Sequence, residues 1–272
     1  MTRDYSQLRH KAYRQASKSS VEFFVNQSEM SAINQAAWNT GAYEAWVIEN
    51  GTPTELAAKL EPEKILKGVL KHLGDLKGKK VANPLGSRGK AGVAMAMLGA
   101  DVTIFDLSEA SKRYAVELAT AANVKLEYLV TDFMKLETQQ YSFDLVLMEL
   151  GILHWFMDVN ALAAKIRGIL KTGGGLVIND FHPIASKLLS QTASQTLADR
   201  DYFDSSPHTG KVPYQELITT QTPDCVTRRW TLGEIVTAFA QNGFQIVMLE
   251  ETPGWGFDAN IPGLFTLSAT AI

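Results

Sequence analysis

The chain has 272 residues, of which 46% are hydrophobic and 20% are charged, and its formal net charge is −3. This is an ordinary composition for a soluble protein, and the slightly negative net charge disfavours a nucleic-acid partner. No apolar segment of about 18 residues is present that could span a membrane. The single cysteine, Cys225, excludes an internal disulfide framework, and the N-terminus lacks a signal-peptide core, so we expect a cytoplasmic monomer or homodimer.

Residues 1–75 are predicted to form a helical N-terminal cap. Thr52 and Glu55 have the spacing of a capping box around a helix start. Apolar residues then recur at helical spacing over Ile65–Leu73, which predicts a further helix that ends at Gly74.

Residues 76–272 are predicted to form the main domain, in which apolar runs of strand length alternate with helical patterns. The runs are Val81–Leu85, Val102–Asp106, Leu126–Val130, Phe143–Glu149, Gly175–Asp180, Phe244–Glu250 and Phe265–Thr270. Helix starts are expected at Ser108 and at Thr231, and Gly243 is expected to end the last helix. Buried strands separated by helices predict an α/β fold with a doubly wound, mostly parallel sheet.

Residues 184–230 interrupt this alternation. The segment is polar, contains three prolines and carries several aromatic residues, which are Tyr202, Phe203, Tyr214 and Trp230. A loop-rich insertion of this length usually forms a functional lid or a flexible excursion, and we predict a lid over the substrate.

Polar residues at the ends of the first three strands are candidates for ligand binding, because ligands bind beyond the carboxyl ends of strands in an open parallel sheet. A glycine turn at 86–89 can approach a ligand closely. Asp106 can accept hydrogen bonds from both hydroxyls of a ribose; its alternative role as a helix cap is better filled by Ser108. Asp132 can accept from an adenine amino group while Phe133 covers the ring, although an aspartate that only starts a turn is the alternative.

Candidate proton acceptors follow the fourth and fifth strands and are Glu149, His154, Asp180 and His182. A histidine titrates near neutral pH, which suits it to this role. His154 has apolar neighbours, and a hydrogen-bonded pocket wall is its alternative role. Asp180 and His182 could also suggest a metal pair, but two ligands do not make a site, and we predict no metal.

Taken in order, these features resemble the class I S-adenosylmethionine-dependent methyltransferases over roughly three quarters of the chain. The ordered set consists of the glycine turn, Asp106, Asp132, Phe143–Val146 with Leu153 and His154, the Leu170–Gly174 turn, and Asn242–Phe244. The segment Ala37–Asn39 is similar to the part that many small-molecule members fold over the cofactor. The resemblance implies a seven-stranded Rossmann-like methyltransferase fold with an antiparallel last strand, S-adenosyl-L-methionine as cofactor and a small-molecule acceptor.

The resemblance also implies roles for single residues. It puts the glycine turn at the methionine part of the cofactor, Asp106 at the ribose, Asp132 at the adenine, and Glu149 with Leu150 beside the sulfonium and the acceptor entrance. The expected cofactor contacts are Asn83, Leu85, Gly86, Ser87, Gly89, Asp106, Leu107, Asp132, Phe133, Glu149 and Leu150.

The glycine turn departs from the family pattern, in which an acidic residue is followed by Gly-x-Gly-x-Gly. Here Asn83 stands at the acidic position, and Leu85 and Ser87 stand at the first two glycine positions. A side chain with a Cβ resists positive φ, so either the loop is a variant that still binds cofactor or binding is weakened. Because Asp106 and Asp132 remain, we favour the variant.

Two other functions stay open at this point. A glycine loop followed by an acidic residue also suits an NAD-dependent oxidoreductase, although the chain has no complete Gly-x-Gly-x-x-Gly. A noncatalytic relative that binds cofactor is the second alternative, which the altered glycine turn motivates. The acceptor and the atom that is methylated cannot be inferred from these residues.

Overall fold

The computed structural model describes residues 25–191, 196–253 and 260–272. Residues 1–24 of the predicted cap and 192–195 of the predicted lid lie outside the described residues. The helices are α1 Gln27–Asn39, α2 Ala42–Asn50, α3 Pro53–Ala57, α4 Pro62–Ile65, α5 Leu70–Leu73, α6 Lys90–Met97, α7 Glu109–Ala121, α8 Val159–Ile169 and α9 Leu232–Gln241. The strands are β1 Lys80–Pro84, β2 Asp101–Asp106, β3 Glu127–Val130, β4 Phe143–Glu149, β5 Leu170–Phe181, β6 Leu189–Gln191, β7 Thr196–Ala198, β8 Pro207–Gly210, β9 Cys225–Arg228, β10 Phe244–Pro253 and β11 Pro262–Ala271.

Seven strands form one sheet in the order β10-β11-β5-β4-β1-β2-β3. β11 runs antiparallel to both β10 and β5, whereas the pairs β5–β4, β4–β1, β1–β2 and β2–β3 are parallel. All seven predicted strands and the antiparallel last strand are confirmed. The chain order reverses between β1 and β4, so a ligand site is expected at the carboxyl ends of the strands on either side of that point.

Apolar residues on both faces of the sheet bury it between two helical layers. In β4, Leu145 and Leu147 pack into the core on the side of α6 and α7, and Val146 and Met148 pack into the core on the side of α8 and α9. This alternation explains why β4 is a continuous apolar run in the sequence.

The predicted helix caps are confirmed. Ser108 accepts a hydrogen bond from the backbone N–H of Ser111 at 3.0 Å and caps α7. Capping boxes start α3 at Thr52 and α9 at Thr231. Gly243, with φ 78°, follows α9. These local signals are reliable because a side-chain oxygen satisfies backbone donors that have no partner within the helix.

The single helix predicted over Ile65–Leu73 is wrong, because the structure has two short helices, α4 and α5, joined by a turn. Gly68 lies in that turn, and a glycine inside a helix costs about 1 kcal/mol relative to alanine. The turn still buries Leu66 and Val69 completely. The apolar spacing therefore predicted correctly which residues are buried, but it did not predict the break between the two helices.

The insertion packs on the N-terminal helices. The Asn34 side chain of α1 exchanges two hydrogen bonds with the backbone of Val226 in β9, at 2.9 and 2.8 Å. The Tyr214 hydroxyl lies 3.1 Å from the carbonyl oxygens of Ala37 and Thr40. The buried ammonium group of Lys187 donates to two carbonyl oxygens within the insertion, at 2.6 and 3.0 Å. Helix α1 and the insertion thus form one layer over the sheet edge.

Within the described residues, no helix is long and apolar enough to cross a bilayer.

Candidate active site

A cavity of about 420 Å³ opens at the carboxyl ends of β1, β2, β3 and β4. Its floor consists of the residues that follow these strands, and its roof consists of α1, α2 and the insertion. Among the residues predicted to contact cofactor, all except Gly89 line it. The structure therefore brings together at one sheet edge the side chains that the sequence placed at separate strand ends.

The turn after β1 keeps a glycine-like backbone although two of its residues are not glycine. Leu85, Ser87 and Gly89 have φ values of 55°, 48° and 77°. A non-glycine residue in this region costs roughly 1–2 kcal/mol. At Gly86, an added Cβ would lie 2.5 Å from the side-chain oxygen of Asn83. Gly86 is therefore required for close packing. Leu85 and Ser87, which stand where the family has glycine, adopt the same backbone conformation with strain.

The strain at Ser87 gives a testable stability effect. We expect Ser87→Gly to raise the free energy of unfolding by about 1 kcal/mol, because it removes a Cβ from a positive-φ position. Urea denaturation measures this change. Ser87→Ala is the matched control, since it keeps the Cβ but deletes a hydroxyl that is buried without a partner among the described residues. Equal stabilisation by both variants would assign the effect to the hydroxyl instead of the backbone.

Asp106 connects the end of β2 to the glycine turn. One carboxylate oxygen accepts from the backbone N–H of Ser87 at 2.9 Å, and the other accepts from Ser108 N–H at 2.9 Å. Burial raises the pKa of Asp106 to about 6, and the backbone hydrogen bonds oppose this rise. Each carboxylate oxygen can accept a further hydrogen bond, so the group can receive two donors from a ligand.

Asp132 and Phe133 lie at the neighbouring strand end. One oxygen of Asp132 accepts from Met134 N–H at 3.0 Å, and the other is buried without a hydrogen-bond partner in the part of the chain described. Phe133 is buried against Phe105, with ring centroids 5.8 Å apart. Asp132 thus both starts a turn and keeps one acceptor for a ligand.

Glu149 and Leu150, at the end of β4, line the same cavity. Burial raises the pKa of Glu149 to about 7. Among the described residues its carboxylate has no hydrogen-bond partner. Leu150 has φ 54°, and Gly151 follows at 80°, so the chain turns sharply beside the carboxylate. A carboxylate with this pKa can take up and release a proton near neutral pH.

Asp180, at the end of β5, forms hydrogen bonds with the backbone of this turn. Its carboxylate accepts hydrogen bonds from the backbone N–H groups of Gly151, Ile152 and Leu153 at 2.6, 3.1 and 2.8 Å. The side chain is buried and does not line the cavity. Asp180 is therefore hydrogen-bonded to the backbone of the turn that follows Glu149.

The two candidate histidines are separated. His154 lines the cavity, and burial lowers its pKa, so the ring is neutral near pH 7. His182 is buried outside the cavity, where Nδ1 accepts from Ile184 N–H at 3.1 Å and Nε2 lies 2.8 Å from Glu251. Asp180 and His182 therefore do not face a shared ligand position.

Over 25–191, 196–253 and 260–272, no group of three or more metal-ligating side chains is found.

Arg88, in the glycine turn, lines the cavity but was not among the residues predicted from the sequence. The guanidinium of Arg88 lies 4.5 Å from the Trp46 ring centroid and 3.4 Å from the Glu49 carboxylate. Trp38 and Tyr214 also line the cavity. The resemblance implied that Ala37–Asn39 folds over the cofactor, and the insertion that carries Tyr214 was predicted to be a lid; the structure places both Trp38 and Tyr214 at the cavity. The position of Arg88 inside the glycine turn is the sequence signal that could have identified it.

Cys225 does not line this cavity. It is 1% exposed in β9, and burial raises the pKa of its thiol to about 12. The thiol therefore stays protonated near neutral pH and is a poor nucleophile.

A family model described as a methyltransferase domain matches residues 85–178. The chain is similar to a structure from Listeria monocytogenes assigned to the S-adenosylmethionine-dependent methyltransferases, with 22% identity and a TM-score of 0.64, over 78% of this chain and 100% of that chain. It is also similar to an S-adenosylmethionine-dependent methyltransferase from Mesorhizobium loti, with 24% identity and a TM-score of 0.59, over 77% and 98% of the two chains. A third similar structure is magnesium protoporphyrin IX methyltransferase from Synechocystis PCC 6803 with bound SAH, with 14% identity and a TM-score of 0.59, over 89% and 100%. None of the curated proteins matches the chain. At these identities the structural likeness shows a shared fold.

Proposed function

We propose that this chain, which is a class I S-adenosylmethionine-dependent methyltransferase by its matched domain and its fold, methylates a small organic molecule. The observation that carries the proposal is the pair of carboxylates, Asp106 and Asp132, at adjacent strand ends in one cavity with the glycine turn. The antiparallel β11 also agrees with the methyltransferase hypothesis, whereas the NAD-dependent oxidoreductase hypothesis gave no reason to expect it.

Unsatisfied polar atoms support the fit of S-adenosylmethionine to this cavity. The side-chain oxygens Asn83 Oδ1, Ser87 Oγ and Asp132 Oδ2 are buried without hydrogen-bond partners among the described residues. Such atoms are costly unless a ligand satisfies them. Asn83 cannot supply a negative charge, but its orphan oxygen can accept from the ammonium group of the cofactor. Its amide nitrogen is already used, since it donates to Leu147 O at 2.9 Å.

We assign the other cofactor contacts by the same reasoning. Asp106 accepts from the ribose hydroxyls, and Asp132 accepts from the adenine amino group. Arg88 and Lys90 carry positive charge at the end of the cavity where the glycine turn meets α6, which suits the carboxylate of the methionine part.

The protein has three tasks in the reaction: to hold the acceptor in line, to exclude water and to accept a proton where the acceptor carries one. When bound, S-adenosylmethionine supplies a methyl group that its sulfonium already activates. We assign the proton to Glu149, because its carboxylate lines the cavity, has no competing partner among the described residues and titrates at about pH 7. The neutral imidazole of His154 is the second candidate in the same wall.

Calorimetry with S-adenosylmethionine and with S-adenosylhomocysteine tests the proposal directly. We expect both to bind with micromolar dissociation constants to the purified protein. Absence of binding at millimolar concentration would contradict it. Tight binding without methyl transfer to any member of a broad acceptor panel would favour the noncatalytic alternative.

Cofactor affinity is expected to depend on pH through Asp106. The pKa of this group is raised to about 6 in the free protein, so it is ionised at pH 7.5 and becomes protonated as the pH falls through 6. A protonated carboxyl group accepts less well, and the dissociation constant of S-adenosylhomocysteine should therefore rise below pH 6, by at most about tenfold per pH unit. Calorimetry between pH 5 and 8 measures this dependence. Asp106→Asn should bind weakly at every pH; if it kept the same pH profile, a different group would be responsible.

A further inference from the structure

Four aromatic rings meet in one wall of the cavity. Trp38 of α1 lies 5.7 Å from Trp155 and 5.4 Å from Tyr214, both edge to face, and Trp46 of α2 lies 5.2 Å from Tyr214. All four residues line the cavity. They come from two helices, the turn after β4 and the insertion, so no single amphipathic pattern accounts for their convergence. We call these four residues the aromatic wall.

Two members of the aromatic wall are already engaged by the protein. The Tyr214 hydroxyl is directed at backbone oxygens, and the ring is 2% exposed. Trp46 is 5% exposed, its indole N–H donates to Ser111 at 3.3 Å, and Arg88 lies over its ring. These two rings therefore pack within the protein and expose little surface to a ligand.

Trp38 and Trp155 are the two members that remain accessible. Both are only partly buried, and within the described residues neither indole N–H has a hydrogen-bond partner. Trp155 also lies 4.5 Å from the His154 ring, centroid to centroid. The accessible part of the wall therefore offers ring surfaces, ring edges and two free indole donors, which suit a flat ring better than a branched aliphatic group.

The charges around the cavity argue for an acceptor that is neutral when it binds. The cationic side chains of the cavity, Arg88 and Lys90, lie at the glycine turn, and the sulfonium of the cofactor adds a further positive charge. Three carboxylates of the lining are already assigned: Glu49 pairs with Arg88 at 3.4 Å, and Asp106 and Asp132 are proposed to bind the nucleoside. Glu149 supplies a partly buried carboxylate near the turn that carries His154 and Trp155. A cationic acceptor would be repelled by the sulfonium, whereas a neutral one with a weakly acidic proton can transfer that proton to the carboxylate.

We infer that the acceptor is a neutral planar aromatic molecule with a ring-borne hydroxyl or N–H, recognised by Trp38 and Trp155, an inference that rests on the proposed function. In the transfer, the lone pair of the acceptor oxygen or nitrogen forms the bond to the methyl carbon. The carbon–sulfur bond breaks and leaves its electron pair on sulfur, and the proton of the acceptor goes to Glu149.

Calorimetric binding of two matched probes to the protein saturated with S-adenosylhomocysteine tests this inference. 2-Naphthol is planar and aromatic, whereas decahydro-2-naphthol has the same carbon skeleton and hydroxyl but is saturated. We expect 2-naphthol to bind about tenfold more tightly, since each aromatic contact contributes about 0.5–1.5 kcal/mol beyond buried area. Equal affinities, or no binding of either probe, would overturn the inference.

Variants of the aromatic wall assign the preference to its rings. Trp38→Leu and Trp155→Leu should each reduce the preference for 2-naphthol to about threefold or less, and Trp155→Phe, which keeps a ring, should retain most of it. Phe203→Leu is the matched control, because Phe203 is 76% exposed in the insertion and does not line the cavity. A preference that survives both leucine variants would overturn the inference. Failure of the wild type to bind S-adenosylhomocysteine would instead contradict the proposed function.

Discussion

Replacing Asp106 with alanine is expected to weaken S-adenosylhomocysteine binding by about 100-fold or more. The complex would lose two hydrogen bonds between the carboxylate and the ribose hydroxyls, and a hydrogen bond to a charged group contributes roughly 1.5–3 kcal/mol. The variant also removes the acceptor for Ser87 N–H, which orients the glycine turn. Both losses act in the same direction, and calorimetry at pH 7.5 measures their combined effect.

Asp101→Ala is the matched control for this variant. Asp101 begins the same strand at its opposite end and is exposed, so its removal deletes a carboxylate from β2 without touching the cavity. It should leave affinity within about twofold of the wild type. If Asp106→Ala stays folded by circular dichroism and also binds normally, the nucleoside is bound elsewhere and the proposed site is incorrect.

The fold could be predicted from the sequence because its strands are long apolar runs with clear boundaries. Val146 and its neighbours in β4 are buried on both faces, so they produce a continuous pattern that a surface strand would not. Asp106 and Asp132 could be singled out for the same reason: once a strand is recognised, its last residue and the residues just after it are known to lie at the ligand edge.

The conformation of the glycine turn could not be predicted from residue types. Intrinsic preference argues against positive φ at Leu85 and Ser87, yet the structure adopts it at both. The hydrogen bond from Ser87 N–H to Asp106 and the one from the Tyr128 hydroxyl to Ser87 O, both 2.9 Å, join the turn to β2 and β3. Tertiary contacts therefore override a local preference, and a sequence pattern does not contain such contacts.

Backbone strain is concentrated at the cavity. Among the described residues, the non-glycine residues with positive φ are Leu85, Ser87, Asn123 and Leu150. Asn123 follows the end of α7, where a left-handed residue is common, and the other three line the cavity. Strain of this kind is retained where the surrounding structure fixes the backbone, and it is frequent at functional sites. This distribution supports the site independently of residue identity.

The role of Asp180 was also beyond prediction, since its partners are backbone groups that turn toward it only in the folded chain. Its position at the end of a strand made it a candidate proton acceptor. The hydrogen bonds from Gly151, Ile152 and Leu153 favour the structural role.

Asp180→Ala is accordingly expected to lower the free energy of unfolding by at least about 3 kcal/mol. It leaves four backbone N–H groups, those of Gly151, Ile152, Leu153 and Phe181, without this acceptor, and an unsatisfied buried donor costs roughly 1–3 kcal/mol. Urea denaturation measures the loss. Asp158→Ala, which removes the exposed cap of α8, is the control and should cost about 1 kcal/mol. Similar losses in the two variants would mean that solvent replaces Asp180, and that the turn around Glu149 is held by other contacts.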